Sequence, residues 1–363
     1  MELKLTTLTP LWTGGVHPGE MDHIQEAGII GSMRWWFEVF VRGVGGKVCN
    51  LTERDKCSFS DKDYYDSTAV TLHQRLRDAG LCDVCQVFGA TKWGRRFRLE
   101  IIEDDVISVD NNNLVRKIKL YERAYTSNNG KKKIPTWWLW SKSAVEDQKP
   151  RIGNFRIQIK SLYPDFDPYI ITGLIRFMSE WTAIGARPQL GFGVVKIDDA
   201  YKIDTAPLYN WLRTVKGNCQ YSGVPSLKNI FLARVRVPNA TFKTPFLIKY
   251  DLRRLFANDE DVRHFIMGTV EGDRIGAKIK MSMPYNDGIL RIWGWVPEEA
   301  SVYNNEWDRN KVLDAIYNYL YKHYNLLEWR EMNSSRDTLT PLNNDSLYFI
   351  RGLLGLGDDI SEL

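Results

Sequence analysis

The sequence has little of what would mark a secreted, membrane-spanning or hydrolytic protein. No uninterrupted apolar run approaches the roughly 18 residues that a membrane span requires, and the opening Met1-Glu-Leu-Lys-Leu-Thr6 lacks the apolar core of a secretory signal. Five cysteines in 363 residues, an odd number, exclude a dense disulfide framework and suit a reducing compartment. The expectation is a cytoplasmic protein with no membrane partner. Histidine is also scarce: His17, His23, His73, His264 and His323 are the full set, and none lies in an HExxH or GxSxG context. Charge of one sign is missing too. A formal net charge of +4 permits an anionic partner without demanding one.

What is present is a soluble globular composition, 44% hydrophobic and 26% charged, in a chain long enough for two domains. Aromatics are abundant (13 Trp, 17 Tyr, 15 Phe), more than a core alone explains when several tryptophans sit beside basic residues. Cys82-x-x-Cys85 is the one close cysteine pair. Cys49 and Cys57 can complete a four-thiolate zinc site, but seven residues separate them where a knuckle has two to four. Free thiols packed around a loop are the favoured reading, and no metal or cofactor is expected.

Leu3, Leu5 and Thr7 alternate with polar neighbours and predict a strand. From Ser32, read as an N-cap, Met33, Trp36, Phe37, Phe40, Val41 and Val44 follow helical spacing up to the glycines at 43–46. Trp35 falls opposite this stripe, packed on a neighbouring loop or facing a partner. A weaker helix is predicted over 69–79. Phe97, Leu99 and Ile101 alternate with Arg96, Arg98 and Glu100, so a basic-edged strand begins there, and Phe155, Ile157 and Ile159 predict another. Residues 103–153 read as an insertion containing a hairpin, with Asn111 to Asn113, Lys131 to Lys133, Trp137, Trp138 and Trp140. Ile171, Leu174, Ile175, Met178 and Trp181 mark a helix over 168–183, followed by a glycine-rich loop and the strand Val194 to Ile197. The order is β-α-β-β-α-β, that of a ferredoxin-like fold. Residues 205–228 read as a connection. Beyond it come a strand at 230–237, a helical segment within 245–256, a hairpin of 274–283 with 289–295 across Asn286-Asp-Gly288, and a helix at about 306–324. The expected class is therefore α+β, two ferredoxin-like (RRM-like) domains in tandem, over 1–205 and 229–363. The closing strand of the second half is not legible.

Gly185-Ala-Arg-Pro-Gln-Leu-Gly191-Phe-Gly193 places three glycines, Arg187 and Gln189 between a helix and a strand. Glycine allows positive φ and close backbone approach, so amides can converge on an anion, with Arg187 adding a charged fork and Gln189 an amide contact. The alternative is a tight connection whose glycines serve backbone geometry alone. Neither a P-loop nor a dinucleotide fingerprint is formed. Lys92, Arg95, Arg96 and Arg98 surround Trp93, and Arg274, Lys278 and Lys280 line the second-half hairpin. Cations with interleaved aromatics suit single-stranded nucleic acid, whose phosphates need charge and whose bases need a flat ring; solvated strand faces are the simpler alternative. The acidic runs Glu103-Asp-Asp105 and Asp259-Glu-Asp261 read as solvated faces. His264, as a general base in RNA cleavage, lacks a placed acid partner.

Thr9-Pro-Leu-Trp-Thr-Gly-Gly15, Ile29-Ile-Gly-Ser-Met-Arg-Trp-Trp-Phe37, Cys82 to Gly89 with the following Trp93-x-Arg-Arg-Phe97, Gly185 to Gly193, and the region from Ile275 to Trp295 together resemble the first RAMP subunit of type III-B CRISPR Cmr effector complexes. The resemblance implies two RAMP domains without a catalytic centre, positioned near the 3′ part of a guide RNA and helping to capture target single-stranded RNA alongside other RAMP subunits. On that resemblance Arg34, Lys92, Arg95, Arg96, Arg98 and Arg187 would meet phosphates, Trp93 would stack on a base, and Gly191 and Gly193 would admit the RNA backbone. The neutral Ile30-Gly31-Ser32 departs from the family's basic residue at this helix entry, which leaves Arg34 as the nearest cation. The resemblance also favours a structural loop over zinc at the cysteines.

Overall fold

The computed structural model describes residues 1–15, 17, 21–50, 56–109, 117–127, 129–138, 149–269, 272 and 274–357. The first half runs β1 (Glu2–Thr7), α1 (Glu26–Gly43), three short helices α2 (Asp61–Asp66), α3 (Leu72–Asp78) and α4 (Asp83–Phe88), then β2 (Phe97–Ser108). Two small ladders follow, β3 (Lys117–Lys119) with β6 (Thr136–Trp138) and β4 (Tyr125–Thr126) with β5 (Lys132–Lys133). β7 (Arg151–Ser161), α5 (Tyr169–Trp181) and β8 (Val195–Ile197) complete it. The second half comprises α6 (Ala206–Val215), β9 (Ile230–Arg236), α7 (Thr244–Leu255), α8 (Glu260–Met267), β10 (Ile279–Met281), β11 (Ile289–Trp295), α9 (Arg309–His323), β12 (Asn325–Arg330) and α10 (Ser346–Leu353).

The class is mixed α+β with antiparallel sheets. One sheet has the order β2-β7-β1-β8 and the other β10-β11-β9-β12. Counting only the four strands of each sheet in chain order, the third lies between the first and second, and the fourth flanks the first. Alternation decides which face of the first sheet is covered: Leu3 opposes Ile157 and Leu5 opposes Phe155, and all four are buried. The other face is charged and self-paired, with Arg156 bridging Glu2 and Asp104 and Lys160 bonded to Glu100.

The second sheet is apolar on both faces, as the near-continuous runs Ile230-Phe-Leu-Ala and Ile289-Leu-Arg-Ile-Trp would suggest. Phe231, Ala233, Val235, Leu290 and Ile292 pack in one core with α7, α8 and α9. Ile230, Leu232 and Trp293 face the other way and join the core of the first half. Helix α10 returns to that core through Phe349, Ile350 and Leu353.

Several expectations shift. Helix α1 starts at Glu26, not Ser32, because its entry is held from a distance: the Gln25 amide donates to Thr13 Oγ1 at 2.8 Å. The helix expected over 69–79 is shorter and begins after Thr71, which caps Gln74. The stretch expected as connection contains α6, whose Leu208, Leu212 and Val215 are buried. The insertion begins after Ser108, six residues later than expected, and Asn111 to Asn113 and Trp140 lie outside the described residues. Strand β10 is confined to Ile279–Met281, so Arg274 is not part of the hairpin. The closing strand is β12, which begins one residue after α9 ends, with no glycine or proline to announce the change of period.

Candidate nucleic-acid interface

The glycine-rich loop is a joint before it is anything else. Arg187 and Gly191 adopt left-handed backbone around a short 3₁₀ turn, Pro188–Leu190. Its amides are taken internally: Gly185 N donates to Ser32 Oγ (3.0 Å), Ala186 N to Trp12 O (2.7 Å) and Gly193 N to Pro10 O (2.8 Å). Gly191 and Gly193 are buried, and what approaches them is this chain's own backbone. A Cβ on Gly191 would lie 2.5 Å from Met283 N, and one on Gly193 would lie 2.0 Å from Ile184 O. The Gly191 and Gly193 sites assigned to RNA backbone are therefore filled by protein, by the Ser282–Met283 backbone after β10 at Gly191 and by the Ile184 backbone after α5 at Gly193. The loop nevertheless assembles the segments that looked most distinctive: Thr9 to Gly15, the first turns of α1 and residues 185–193 meet here. On the outside, Gly31 has open space around it and Gln189 is exposed, while its carbonyl accepts from Lys249 Nζ at 2.6 Å. The half-buried Arg187 guanidinium lies over the Trp12 ring at 4.1 Å, and burial lowers its pKa.

The basic segment at 92–98 divides into outward and inward residues. Lys92 is exposed on a turn at φ 61°, and Arg98 is exposed beside Glu100 at 2.8 Å. Arg95 is half-buried, with Nε donating to Phe97 O. Arg96 turns inward: it is buried, ion-paired with Asp165, and stacked over Tyr163 and Phe166. Trp93 donates from Nε1 to Gln86 O and packs on Tyr163 and Phe59, so it holds the turn in place. Arg96 and Trp93 thus leave the phosphate-binding and base-stacking roles expected of them. The reason is that Arg96 lies in the bend just before β2, where its guanidinium meets Asp165, Tyr163 and Phe166 of the loop after β7. Lys92 and Arg95 stay in the turn that leads into β2 and Arg98 near the start of that strand, which among the described residues is an edge of the first sheet.

Arg34 is also engaged, bonded to Glu38, to Gly89 O and to Cys85 Sγ. In the second half, Lys278 is buried against Phe265 and Trp295, and its Nζ donates to Phe265 O. Lys280 bonds the Ala277 carbonyl. Burial pushes both down to about 8, with the Lys280 charge adding to the shift at Lys278, and both ammonium groups are turned to backbone carbonyls of this chain. Arg274 stays exposed.

Two features escaped sequence reasoning, and one was weighed and set aside. Arg291 and Arg234 reach from the second sheet to the end of α5, with Arg291 donating to Ser179 O (2.7 Å) and Thr182 O (2.8 Å) and Arg234 to Glu180 O (2.7 Å). An arginine in an apolar strand is the available signal. The CxxC segment forms a helix, α4, with Cys82 at its N-cap. Its two thiols come together with those of Cys49 and Cys57, all four sulfurs lying within 4.8 Å of one another. The seven-residue gap between Cys49 and Cys57, which favoured free thiols in the sequence, does not keep these four sulfurs apart.

An α+β chain of paired antiparallel sheets, with a glycine-rich loop joining its halves and a basic turn leading into the edge strand β2, is the class that fold and site define. Residues 4–196 match the model of the RAMP superfamily, and the chain belongs to that superfamily. No curated protein matches the sequence. Among solved structures, Cmr1 from Pyrococcus furiosus in its apo form is similar at 15% identity and a TM-score of 0.42, over 88% of this chain and 96% of that one. A chain of the type III-B Cmr-beta complex bound to cognate target RNA is similar at 13% identity and a TM-score of 0.42, over 87% and 99%.

Proposed function

We propose that this protein is a non-catalytic RNA-binding subunit of a type III-B CRISPR (Cmr) RNA-guided complex, built from two tandem ferredoxin-like RAMP domains. It would hold guide RNA near its 3′ part and help capture target single-stranded RNA beside other Cmr subunits. The observation that carries this is the entry to β2, where Lys92 and Arg95 in the preceding turn and Arg98 at the start of the strand gather positive charge in a chain of the RAMP superfamily. Arg274 and the rim of the glycine loop, with half-buried Arg187 and exposed Gln189, extend the surface, and Gly31 leaves room for a backbone. Binding without turnover is favoured because His264 has Glu260, one turn earlier on the same helix, at 3.4 Å as its carboxylate neighbour, an arrangement that stabilises a helix and does not place an acid across a substrate.

The test is fluorescence-anisotropy titration of labelled single-stranded RNA across a salt series. Lys92→Glu/Arg95→Glu/Arg98→Glu should weaken binding at least tenfold and flatten the salt slope by about 0.7 for every phosphate that is no longer neutralised. Unchanged affinity and slope would remove these residues from the interface. RNA cleavage in EDTA that is abolished by His264→Ala would overturn the non-catalytic reading.

A further inference from the structure

The thiols of Cys49, Cys57, Cys82 and Cys85 come from three separate places: the segment after α1, the segment before α2, and the first turn of α4. They nevertheless share one site, all within 4.8 Å of one another, with Cys49 and Cys85 sulfurs 3.6 Å apart. Tetrahedral zinc with Zn–S bonds near 2.3 Å needs sulfurs about 3.8 Å apart, which this spacing brackets. Cys82 and Cys85 are buried and Cys49 and Cys57 half-buried, so the site is closed on the side facing the core.

The surroundings are those of a thiolate cluster. The Cys82 amide points at Cys57 Sγ (3.2 Å), the Cys85 amide at Cys82 Sγ (3.4 Å), and Arg34 Nη2 at Cys85 Sγ (3.2 Å). Four thiolates around a divalent ion carry a net charge of about −2, and two amide donors and a guanidinium offset part of it. The scaffold is set independently. Asp83, fully buried beside Cys82, accepts from the Lys47 amide (2.7 Å) and from Arg77 (2.6 and 2.7 Å), which holds the first cysteine segment against α4.

We propose that these four cysteines form a structural zinc site that clips the loop between α1 and α2 to α4. With four protein ligands there is no open position for chemistry, so its role is to fix the turn after α4 that carries Lys92, Trp93 and Arg95. Each cysteine loses its thiol proton on binding, and the metal stays divalent.

Elemental analysis of the full chain, purified under reducing conditions without chelator, should find about one zinc per chain. Cys49→Ser and Cys82→Ser should lower this to well under half, while Cys219→Ser, outside the cluster, should leave it unchanged. Cobalt replacing zinc should give thiolate charge-transfer and tetrahedral d–d absorption. Should the serine variants fail to fold, wild-type protein decides alone: denaturation with chelator should release zinc and expose five reactive thiols. Less than a tenth of an equivalent after reconstitution with zinc, or three reactive thiols from a disulfide, overturns the proposal. Zinc content is measured without RNA, so failure of the RNA-binding reading leaves it intact, and the reverse.

Discussion

Arg291 offers the sharpest test of how the halves are joined. It rises from β11, is almost wholly buried, and donates to Ser179 O at 2.7 Å, Thr182 O at 2.8 Å and Tyr285 Oη at 2.8 Å. The two carbonyls lie at the end of α5, where helical acceptors have no intrahelical donor and the dipole favours a cation. Arg291→Met keeps the apolar stem and removes the donors. A buried acceptor stripped of its partner costs about 1–3 kcal/mol, so two carbonyls give about 2–6 kcal/mol. Relief from burying the guanidinium charge offsets part of this, and a destabilisation of about 3 kcal/mol is expected, roughly 150-fold in the folding equilibrium. Urea unfolding followed by tryptophan fluorescence and far-ultraviolet circular dichroism measures it. Arg98→Met, on the exposed edge, is the control and should stay within about 0.5 kcal/mol of wild type. A destabilisation below about 1 kcal/mol at Arg291 would refute the view that this arginine couples the second sheet to α5.

Gly193→Ala should destabilise by about 3 kcal/mol, since φ of +89° is combined with a Cβ 2.0 Å from the Ile184 carbonyl. Gly14→Ala, with similar φ and nothing within 4 Å, should cost only about 1 kcal/mol; equal urea midpoints for the two would count against the packed-joint account. Stability should also rise with pH between about 7 and 10. Burial lowers Lys249 to about 7 and Lys278 and Lys280 to about 8, from an ordinary 10.5, so in this window the unfolded chain holds protons that the folded chain has shed. Lys249→Met should flatten the rise, and urea midpoints that fall from pH 7 to 9 would contradict it. Above pH 10 the gain reverses, because burial raises Tyr303 to about 12 and the unfolded chain ionises first.

Much of the fold can be read locally because it follows from period. Leu3, Leu5, Phe155, Ile157 and Ile159 announce their strands by alternation, and Ile171 to Trp181 announce a helix. The Asn286-Asp-Gly288 turn marks the second hairpin, and the tandem order of elements points to a mixed α+β chain. What escaped was whatever depends on a distant partner: the cap that Thr13 supplies to α1, the helix α6 whose apolar face is covered by α5, and β12, which follows α9 without punctuation.

The candidate site divides along the same line. That positive charge accumulates around residues 92–98, and that glycines crowd residues 185–193, are properties of composition which the sequence determines by itself. Which of those cations face solvent was decided by the tertiary structure, because Arg96 lies in the bend before β2, where Asp165, Tyr163 and Phe166 from the loop after β7 draw it inward, whereas Arg98 stands exposed on the strand itself. The same holds for Gly191 and Gly193, where positive φ is a local necessity but the backbone that fills the space comes from Met283 and Ile184. It holds most clearly for the four cysteines, whose spacing argued against a common site until the chain, closing over α4, brought their sulfurs together.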